Sequence, residues 1–501
     1  MAVSNYLFEL IKSLSPSEKR YFKLFSSLQK SRAEEKNYLR LFDFIAAQDA
    51  YDEEAILEAF AVENFIKSLH VTKNYLYNLI LKSLRIFEEE RKNAHRQLSN
   101  LLMNASVLEN RGLYDQSRDM LNRALKIAQK YDKHFFIIEI LHKKISIISG
   151  FQLKKIDENA LDTFQLLDEA FDRQSKETAY LKLYYRVSLM MRTRDRENKQ
   201  LKTEVEEIAA LPLLKIPPKK NSAFFTKVLF HLIHAAVFYF EEDMVQYNNA
   251  MYASLKVWDD HKQQKKESPH YYILQVANYL NSCHSVSDYS NFSERLQEIK
   301  SLRCTNFNEA AEAFQNVAFL ELLYYLNTDN LDKAEQAIDG IIQGLERYKK
   351  KINKARETSF YYNISILFFL VGKYEKALHW ADKILNDEKN GHRKDLQRFA
   401  HILELIYHYE LRNFRYAESR CQANYRKLKK WGSLNALEIM ILKQFNSILY
   451  PTSKAELIER FRFINQKVEE LESEHDSNTF LGIEELKIWL KSKLPPNDPH
   501  K

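Results

Sequence analysis

The sequence predicts an all-α protein in which helical hairpins stack as a solenoid. Only 8 glycines and 9 prolines occur in 501 residues, well below the average usage of about 7% and 5%. This shortage disfavours β-hairpins and glycine-rich phosphate loops, and it favours long helices joined by short turns. The clearest unit is Tyr361–Leu385, where an apolar helix is followed by a turn at Gly372 and a second helix that begins at Tyr374. The rest of the sequence contains looser copies of this hairpin.

Charge and cysteine content set broad limits on function. The chain has 75 basic and 68 acidic side chains and a net charge of +7, which permits an anionic partner but does not require one. Cys283, Cys304 and Cys421 form no CxxC pair, as is typical of reduced thiols in a cytosolic protein. The first residues do not resemble a signal peptide, and no uncharged apolar run of about 18 residues occurs. We therefore expect a cytoplasmic protein without membrane spans.

Residues 1–92 are predicted to form an N-terminal helical domain. Ser15 and Glu18 flank Pro16 in a strong helix start, because Ser15 can cap the helix and Glu18 can complete a capping box. No glycine or proline occurs from Thr72 to Arg111. This stretch is therefore either one very long helix or two helices joined near Lys92–Asn93.

The segment Phe65–Arg85 has a faint helix-turn-helix pattern. In that interpretation, Lys73, Asn74 and Asn78 would lie on a recognition helix and contact base edges. The turn lacks a glycine, which favours the alternative of a scaffold helix with a buried apolar stripe. The stripe would consist of Leu76, Leu79, Ile80, Leu84 and Phe87.

Two hairpins place matching residues at identical offsets from a turn glycine. The offsets are −7, 0, +2, +5, +9 and +12, with a tyrosine at +2 and small residues at −7 and +5. The first hairpin has Ala105, Gly112, Tyr114, Ser117, Leu121 and Ala124, and the second has Ser365, Gly372, Tyr374, Ala377, Ala381 and Ile384. Partial copies follow Asp329, with Leu331, Ala334 and Ile338, and Arg412, with Phe414, Ala417 and Cys421.

These residues resemble the tetratricopeptide repeat, in which small side chains let two helices cross closely. The resemblance covers residues 101–130 and 313–430, and it implies a right-handed superhelical solenoid of antiparallel helix pairs. Ala334, Ala377 and Ala417 are spaced by 43 and 40 residues, longer than the family's roughly 34. Repeat length is therefore expected to be irregular.

The prolines at 212, 217 and 218 make Leu211–Ser222 the best internal break. We expect an N-terminal helical domain at 1–92, a first repeat block at 93–211, a second at 222–450, C-terminal capping helices at 451–494 and a disordered tail at 495–501. Periodicity also predicts helices at Phe135–Ile148, Glu158–Arg173, Glu177–Met191, Ala223–Phe240, Asp243–Trp258, Tyr271–Cys283, Ser453–Glu474 and Asn478–Lys493. A polar loop is expected at Asp259–His270.

The candidate binding site is a groove along the first helices of the C-terminal hairpins. The resemblance implies that these helices line a concave surface, and here the groove positions are unexpectedly apolar. Either the groove binds a peptide or protein partner, or the chain fills the groove itself. The candidate partner-binding residues are Phe319, Leu323, Tyr362, Ile366, Phe369, Phe399, Ile402 and Tyr409.

Other functional classes have weaker sequence support. GxSxG, HExxH, Walker and GxGxxG motifs are absent from the sequence, so no catalytic residue, enzyme activity or cofactor is expected. His231 and His234 are three residues apart, but a zinc site needs three or four ligands. Basic clusters at 349–356 and 426–430, beside Trp431, would suit phosphates.

We therefore expect a non-enzymatic cytoplasmic scaffold or adaptor that binds a protein or peptide partner through its C-terminal half. The alternative is a nucleic-acid-associated regulator, whose N-terminal helices contact DNA or RNA while its repeats sense a partner.

Overall fold

A computed structural model describes residues 3–27, 34–89, 93–151, 159–193, 198–302, 304, 307–386, 393–430, 435–474 and 481–495. Within these residues the secondary structure is helical and contains no strand, so the all-α prediction is confirmed. Two compact units are present, Met1–Ser175 and Lys176–Lys501. The five-part domain division stays a prediction.

The first unit contains α1 (Val3–Ser13), α2 (Pro16–Ser27), α3 (Glu34–Ala47), α4 (Glu53–Ala59), α5 (Leu69–Glu89), α6 (Ala94–Glu109), α7 (Tyr114–Lys130), α8 (His134–Phe151) and the first half of α9 (Asn159–Thr193). A 3-10 helix at Asn64–Ser68 precedes α5. Helix α9 is continuous where periodicity predicted two separate segments.

The second unit begins with the rest of α9 and continues with α10 (Lys199–Ala209), α11 (Pro212–Lys215), α12 (Phe224–Phe240), α13 (Met244–Asp260), α14 (Lys262–Glu267), α15 (Pro269–Val286), α16 (Phe292–Ser301), α17 (Phe307–Asn327) and α18 (Leu331–Arg347). It ends with α19 (Lys354–Leu370), α20 (Tyr374–Asn386), α21 (Lys394–Glu410), α22 (Phe414–Lys430), α23 (Ala436–Gln444), α24 (Lys454–Glu474) and α25 (Ile483–Ser492). A short 3-10 helix, Phe445–Ile448, follows α23. The segment predicted as a polar loop at 259–270 contains α14.

Local helix signals near the N-terminus were predicted correctly. Glu18 Oε2 accepts a hydrogen bond from the Ser15 amide at 2.7 Å, and the Glu18 amide donates to Ser15 Oγ at 3.3 Å. The long stretch without glycine or proline is two helices, because the Asn93 side chain accepts from the His95 and Arg96 amides and caps α6.

The predicted turns share one backbone geometry. Gly112, Gly372, Asp329 and Arg412 all adopt a positive φ, between 54° and 74°. In each case the next residue donates its amide to the carbonyl five residues earlier, as Lys373 does to Phe368 at 2.8 Å. This is the pattern of a left-handed helix C-terminus. The second helices therefore begin at Tyr114, Leu331, Tyr374 and Phe414, as the offsets predicted.

The crossing point of each glycine hairpin is held by a serine hydroxyl. In α6–α7, Ser117 Oγ donates to the Ala105 carbonyl at 3.0 Å, whereas in α19–α20 Ser365 Oγ donates to the Ala377 carbonyl at 2.8 Å. These four residues are buried. The two hairpins thus exchange the serine and the alanine between their helices but keep the same close contact.

Helix α19 lies in the centre of the largest core of the second unit. Eleven of its 17 residues are buried, so the helix is covered on nearly all sides. The surrounding core draws on α17 to α25. This position explains why apolar residues occupy both its packing face and its expected groove face.

Candidate functional site

The predicted groove residues lie on three helices of the second unit. Phe319 and Leu323 are half-buried on α17, Tyr362, Ile366 and Phe369 are buried on α19, and Phe399 and Ile402 are buried on α21. Tyr409, near the end of α21, is half-buried. Their role in partner binding stays a prediction.

Helix α25 covers part of this predicted groove. The Tyr362 hydroxyl donates a hydrogen bond to Glu485 Oε1 at 3.3 Å. Gly482, at the start of α25 with φ +80°, lies so close to Phe399 that a Cβ there would be 2.0 Å from the ring. The C-terminal groove is defined here as the surface of Tyr362, Phe399, Tyr409, Glu410 and Phe461 on α19, α21 and α24 against which α25 packs.

Trp489 anchors the other end of α25. Its indole lies edge-on to Tyr409 and Phe461, with ring centroids 5.7 and 5.5 Å away. Its Nε1 donates to Glu410 Oε1 at 2.6 Å, and Lys493 Nζ donates to Glu410 Oε2 at 2.8 Å. An aromatic ring in an apolar seat with a satisfied polar edge is a typical interface anchor.

The remaining predicted residues have other neighbours. The Arg356 guanidinium lies 4.2 Å from the centre of the Phe319 ring and covers it. Phe369 packs against Tyr407 with 5.5 Å between ring centroids. Ile366 and Ile402 belong to the same core. The structure therefore brings Tyr362, Phe399 and Tyr409 to α25, but it does not join all eight residues in one exposed groove.

Two carboxylates of this core have opposite electrostatic surroundings. Burial raises the pKa of the Glu485 carboxyl, and hydrogen bonds from its own backbone amide and from the Tyr362 hydroxyl only partly offset this effect. Burial alone would also raise the pKa of Glu404, but His401, Arg420 and Asn424 lower it to about 2. Arg420 forms two hydrogen bonds to Glu404, at 2.8 and 3.1 Å. Glu404 is thus stabilised as an anion, whereas Glu485 is stabilised in its neutral form.

Of the three residues predicted to contact base edges, one is buried and two are exposed. Lys73 is buried, and its Nζ lies 2.9 Å from Glu53 Oε2 and 5.2 Å from the centre of the Tyr51 ring. Asn78 donates to the Asn74 carbonyl at 2.9 Å, and both side chains are exposed. Lys73 therefore stabilises the N-terminal bundle.

The basic clusters are partly neutralised. Lys349 pairs with Glu346 and Lys354 with Glu357, while Trp431 lies outside the described residues. Within the described part of the chain, no cluster of three or more His, Cys, Asp or Glu side chains has the arrangement of a metal site. His234 contacts the Phe230 carbonyl through Nδ1 at 3.0 Å.

Comparison with known proteins adds no family assignment. A scan of the sequence against models of protein families finds no match, and a search of curated proteins also finds none. None of the helices in the described ranges has the length and apolar character that crossing a bilayer requires.

Sequence reasoning missed the residues that cover the groove. It predicted a helix at Asn478–Lys493, but it assigned no contacts to Glu485 or Trp489. The available signal was the amphipathic pattern of Ile483, Leu486 and Leu490, which requires an apolar surface to pack against. Nothing in that pattern identifies α19 and α21 as the surface.

Proposed function

We propose that the protein is a non-enzymatic cytoplasmic scaffold or adaptor that binds a protein or peptide partner through its C-terminal half. In this proposal the second unit is a right-handed superhelical stack similar to tetratricopeptide repeats, with helix pairs of irregular length. Cytoplasmic residence agrees with its three free cysteines.

The observation that carries the proposal is the seating of α25 in the C-terminal groove. An α-helix packs there with apolar side chains in the groove and polar contacts at Tyr362 and Glu410. Proteins that recognise amphipathic helices use the same combination of an apolar groove and a few directional polar groups. The groove thus has the chemistry of a helix-binding site.

The nucleic-acid alternative has less support. Its strongest N-terminal candidate, Lys73, is buried and paired with Glu53. Binding to nucleic acid depends on cations that can reach phosphates, and Lys354 of the C-terminal cluster is also paired with an acidic side chain.

Cross-linking capture from native lysate tests the proposal. The full chain would be incubated with lysate, cross-linked through lysines and digested, and the cross-linked peptides would be identified by mass spectrometry. We expect a partner to be attached at Lys354 and Lys394, which are exposed at the first residues of α19 and α21. Lys126 and Lys130 on α7 are exposed control positions in the first unit.

A parallel sample treated with nuclease before cross-linking separates the protein-binding scaffold from the nucleic-acid-associated regulator. A partner that contacts the protein directly should still be cross-linked in this sample, because its contacts do not require nucleic acid. Loss of all cross-links after nuclease treatment, or cross-links confined to α7, would contradict the proposal.

A further inference from the structure

We propose that the C-terminal groove binds an amphipathic helix of a partner protein with the α25 pattern, and that α25 occupies the groove until this partner replaces it. The inference rests on the proposed function and adds the chemistry of the partner helix. That helix carries apolar residues at the positions of Ile483, Leu486, Leu490 and Leu494, a tryptophan at position 489 and a lysine at position 493.

Helix α25 packs in the groove with one face only. Its exposed positions are Glu484, Ile488 and Ser492, spaced four residues apart. The opposite face is buried to at least 96% at Ile483, Leu486, Trp489 and Leu490, and so is Leu494 just beyond the end of the helix. Anchors at i, i+3 and i+7 are the pattern by which amphipathic helices are recognised in grooves.

Glu410 is the directional element of the site. It accepts hydrogen bonds from the Trp489 indole and the Lys493 ammonium through its two carboxylate oxygens. A partner helix without the tryptophan would lose the indole hydrogen bond to Glu410 Oε1 and leave only the lysine ammonium, 2.6 Å from the same oxygen, which lowers affinity. The groove therefore selects for a tryptophan and a lysine four residues apart.

Glu485 makes α25 an imperfect occupant. Its half-buried carboxylate accepts hydrogen bonds from the Tyr362 hydroxyl at 3.3 Å and from its own backbone amide, and its burial opposes ionisation. Burying a carboxylate without a paired cation costs free energy. A partner helix with glutamine at this position avoids that cost while it keeps a hydrogen-bond acceptor for Tyr362.

The covalent tether sets the conditions of exchange. A segment attached to its own groove has an effective concentration on the order of millimolar. A free helix at micromolar concentration displaces it only if the free helix binds better or if the contacts of α25 are weakened. Exchange is therefore measurable by weakening α25 in the full chain.

The test uses a fluorescently labelled peptide of residues 481–495, LGIEELKIWLKSKLP, in which Glu485 is replaced by glutamine. Its anisotropy would be titrated with the wild-type full chain and with the Trp489→Ala full chain. We expect the variant to bind the peptide about tenfold or more tightly, because the loss of one anchor side chain weakens the competing α25 by at least that factor.

Two matched controls distinguish the loss of the Trp489 anchor from a general effect of substitutions in α25. Ile488→Ala removes an apolar side chain from the exposed face of the same helix, where Ile488 is 50% exposed, so this chain should bind the peptide as weakly as the wild type does. A peptide with Trp489→Ala should not bind the Trp489→Ala chain.

Absence of peptide binding to the Trp489→Ala chain, with α19, α21 and α24 still protected from hydrogen exchange, would overturn the inference. A wild-type dimer in which two copies exchange α25 would also overturn it, since the occupant would then be a second copy. If the peptide fails but a partner still cross-links at Lys354 and Lys394, the inference is wrong while the proposed function stands.

Hydrogen exchange of the unmodified chain keeps the inference testable if the Trp489→Ala chain does not fold. We expect the amides of α25 to exchange through local opening, with less protection than the amides of α19. Equal protection in the two helices would show that α25 opens only with the whole core, and it would overturn the inference.

Discussion

The hairpins α6–α7 and α19–α20 have the same internal contacts but different outer faces. Both have a left-handed glycine in the turn and a buried serine hydroxyl at the crossing. At offsets −6 and −3 from that glycine, however, α6 carries Ser106 and Glu109, whereas α19 carries Ile366 and Phe369. Formation of the hairpin therefore depends on its local contacts. The residues on its outer face differ according to the elements that pack against that face.

Exposure supports this distinction. Ser106 and Glu109 are half-buried, whereas Ile366 and Phe369 at the same offsets are buried. Helix α19 is covered by neighbouring helices of the second unit, including α21 and α25. An apolar residue at a groove position thus indicates a covering element in this protein.

The largest expected effect comes from replacing the residue at offset −3 in each hairpin. Phe369→Ala should destabilise the second unit by about 3–5 kcal/mol, because it leaves a cavity in the core. Denaturation followed by tryptophan fluorescence checks this value, since Trp258, Trp380, Trp431 and Trp489 all lie in the second unit.

The matched control is Glu109→Ala, which should change the stability of α6 by less than about 1 kcal/mol because Glu109 is only half-buried. Hydrogen exchange of the α6 amides measures this change. Similar losses for the two substitutions would show that the outer faces of the hairpins do not differ in the way described.

Acid should affect the two carboxylates near α19 in opposite directions. The pKa of Glu404 is lowered from 4.5 to about 2, so its stabilisation, of order 3 kcal/mol, is present above pH 4.5 and is lost as the pH falls towards 2. The pKa of Glu485 is raised above its ordinary 4.5, so docking of α25 should become stronger as the pH falls towards 4.5. Its charged or titratable neighbours are Glu484, Tyr362 and Tyr407, with Arg393 acting on Tyr362.

Hydrogen exchange corrected for intrinsic rates would follow this change at α25. Glu485→Gln should remove the increase in protection as the pH falls towards 4.5, and Glu404→Gln should reduce the loss of stability below pH 4.5. If the protection of α25 in the wild type falls on mild acidification, the environment described for Glu485 is wrong.

The two serines at the helix crossings should contribute differently to stability, because they have different numbers of hydrogen-bond partners. Ser117→Ala removes one hydrogen bond and should cost about 0.5–1.5 kcal/mol. Ser365→Ala should cost about 1–3 kcal/mol more, because Ser365 Oγ also lies 2.9 Å from the Tyr407 hydroxyl, which would lose its partner in the core. Local hydrogen exchange in α7 and α20 measures both values.

Tyr407→Phe combined with Ser365→Ala is the control for this comparison. Removing both hydroxyls leaves neither of them without its partner, so the double variant should lose less than the sum of the single losses. Additive losses would show that the contact between Ser365 and Tyr407 contributes nothing to stability.

Sequence reasoning succeeded where the determining contacts are local. The capping box at Ser15 and the turns at Gly112, Asp329, Gly372 and Arg412 each depend on residues within about one helical turn. The cover of the groove could not be predicted, because Tyr362 and Glu485 are 123 residues apart. Amphipathic periodicity shows that a helix buries a face, but it does not identify the surface that receives it.

Burial of the groove residues also depends on contacts that are distant in the sequence. The sequence placed Tyr362, Ile366 and Phe369 together on one helix, and the structure agrees. Their environment depends on α21, α24 and α25, whose arrangement arises from tertiary packing rather than from the pattern of α19. Both alternatives for the apolar face were therefore open at the level of the sequence.

The smallest predicted effects test the left-handed turns. Gly372 has φ +72° and no atom within 4 Å of an added Cβ, so Gly372→Ala should cost about 1 kcal/mol through backbone strain alone. Arg412 adopts φ 59° without the freedom of glycine. Arg412→Gly should therefore stabilise the second unit by up to about 1 kcal/mol, as measured by tryptophan fluorescence.

Gly340 provides the matched control, because an added Cβ also meets no atom within 4 Å there, but the residue lies inside α18. Gly340→Ala should stabilise the second unit by about 0.5–1 kcal/mol, since alanine favours a helix interior. The same change from glycine to alanine thus has opposite signs at 340 and 372. If alanine lowered stability at both positions, steric clashes of the added Cβ, and not the left-handed backbone, would explain why the turn needs glycine.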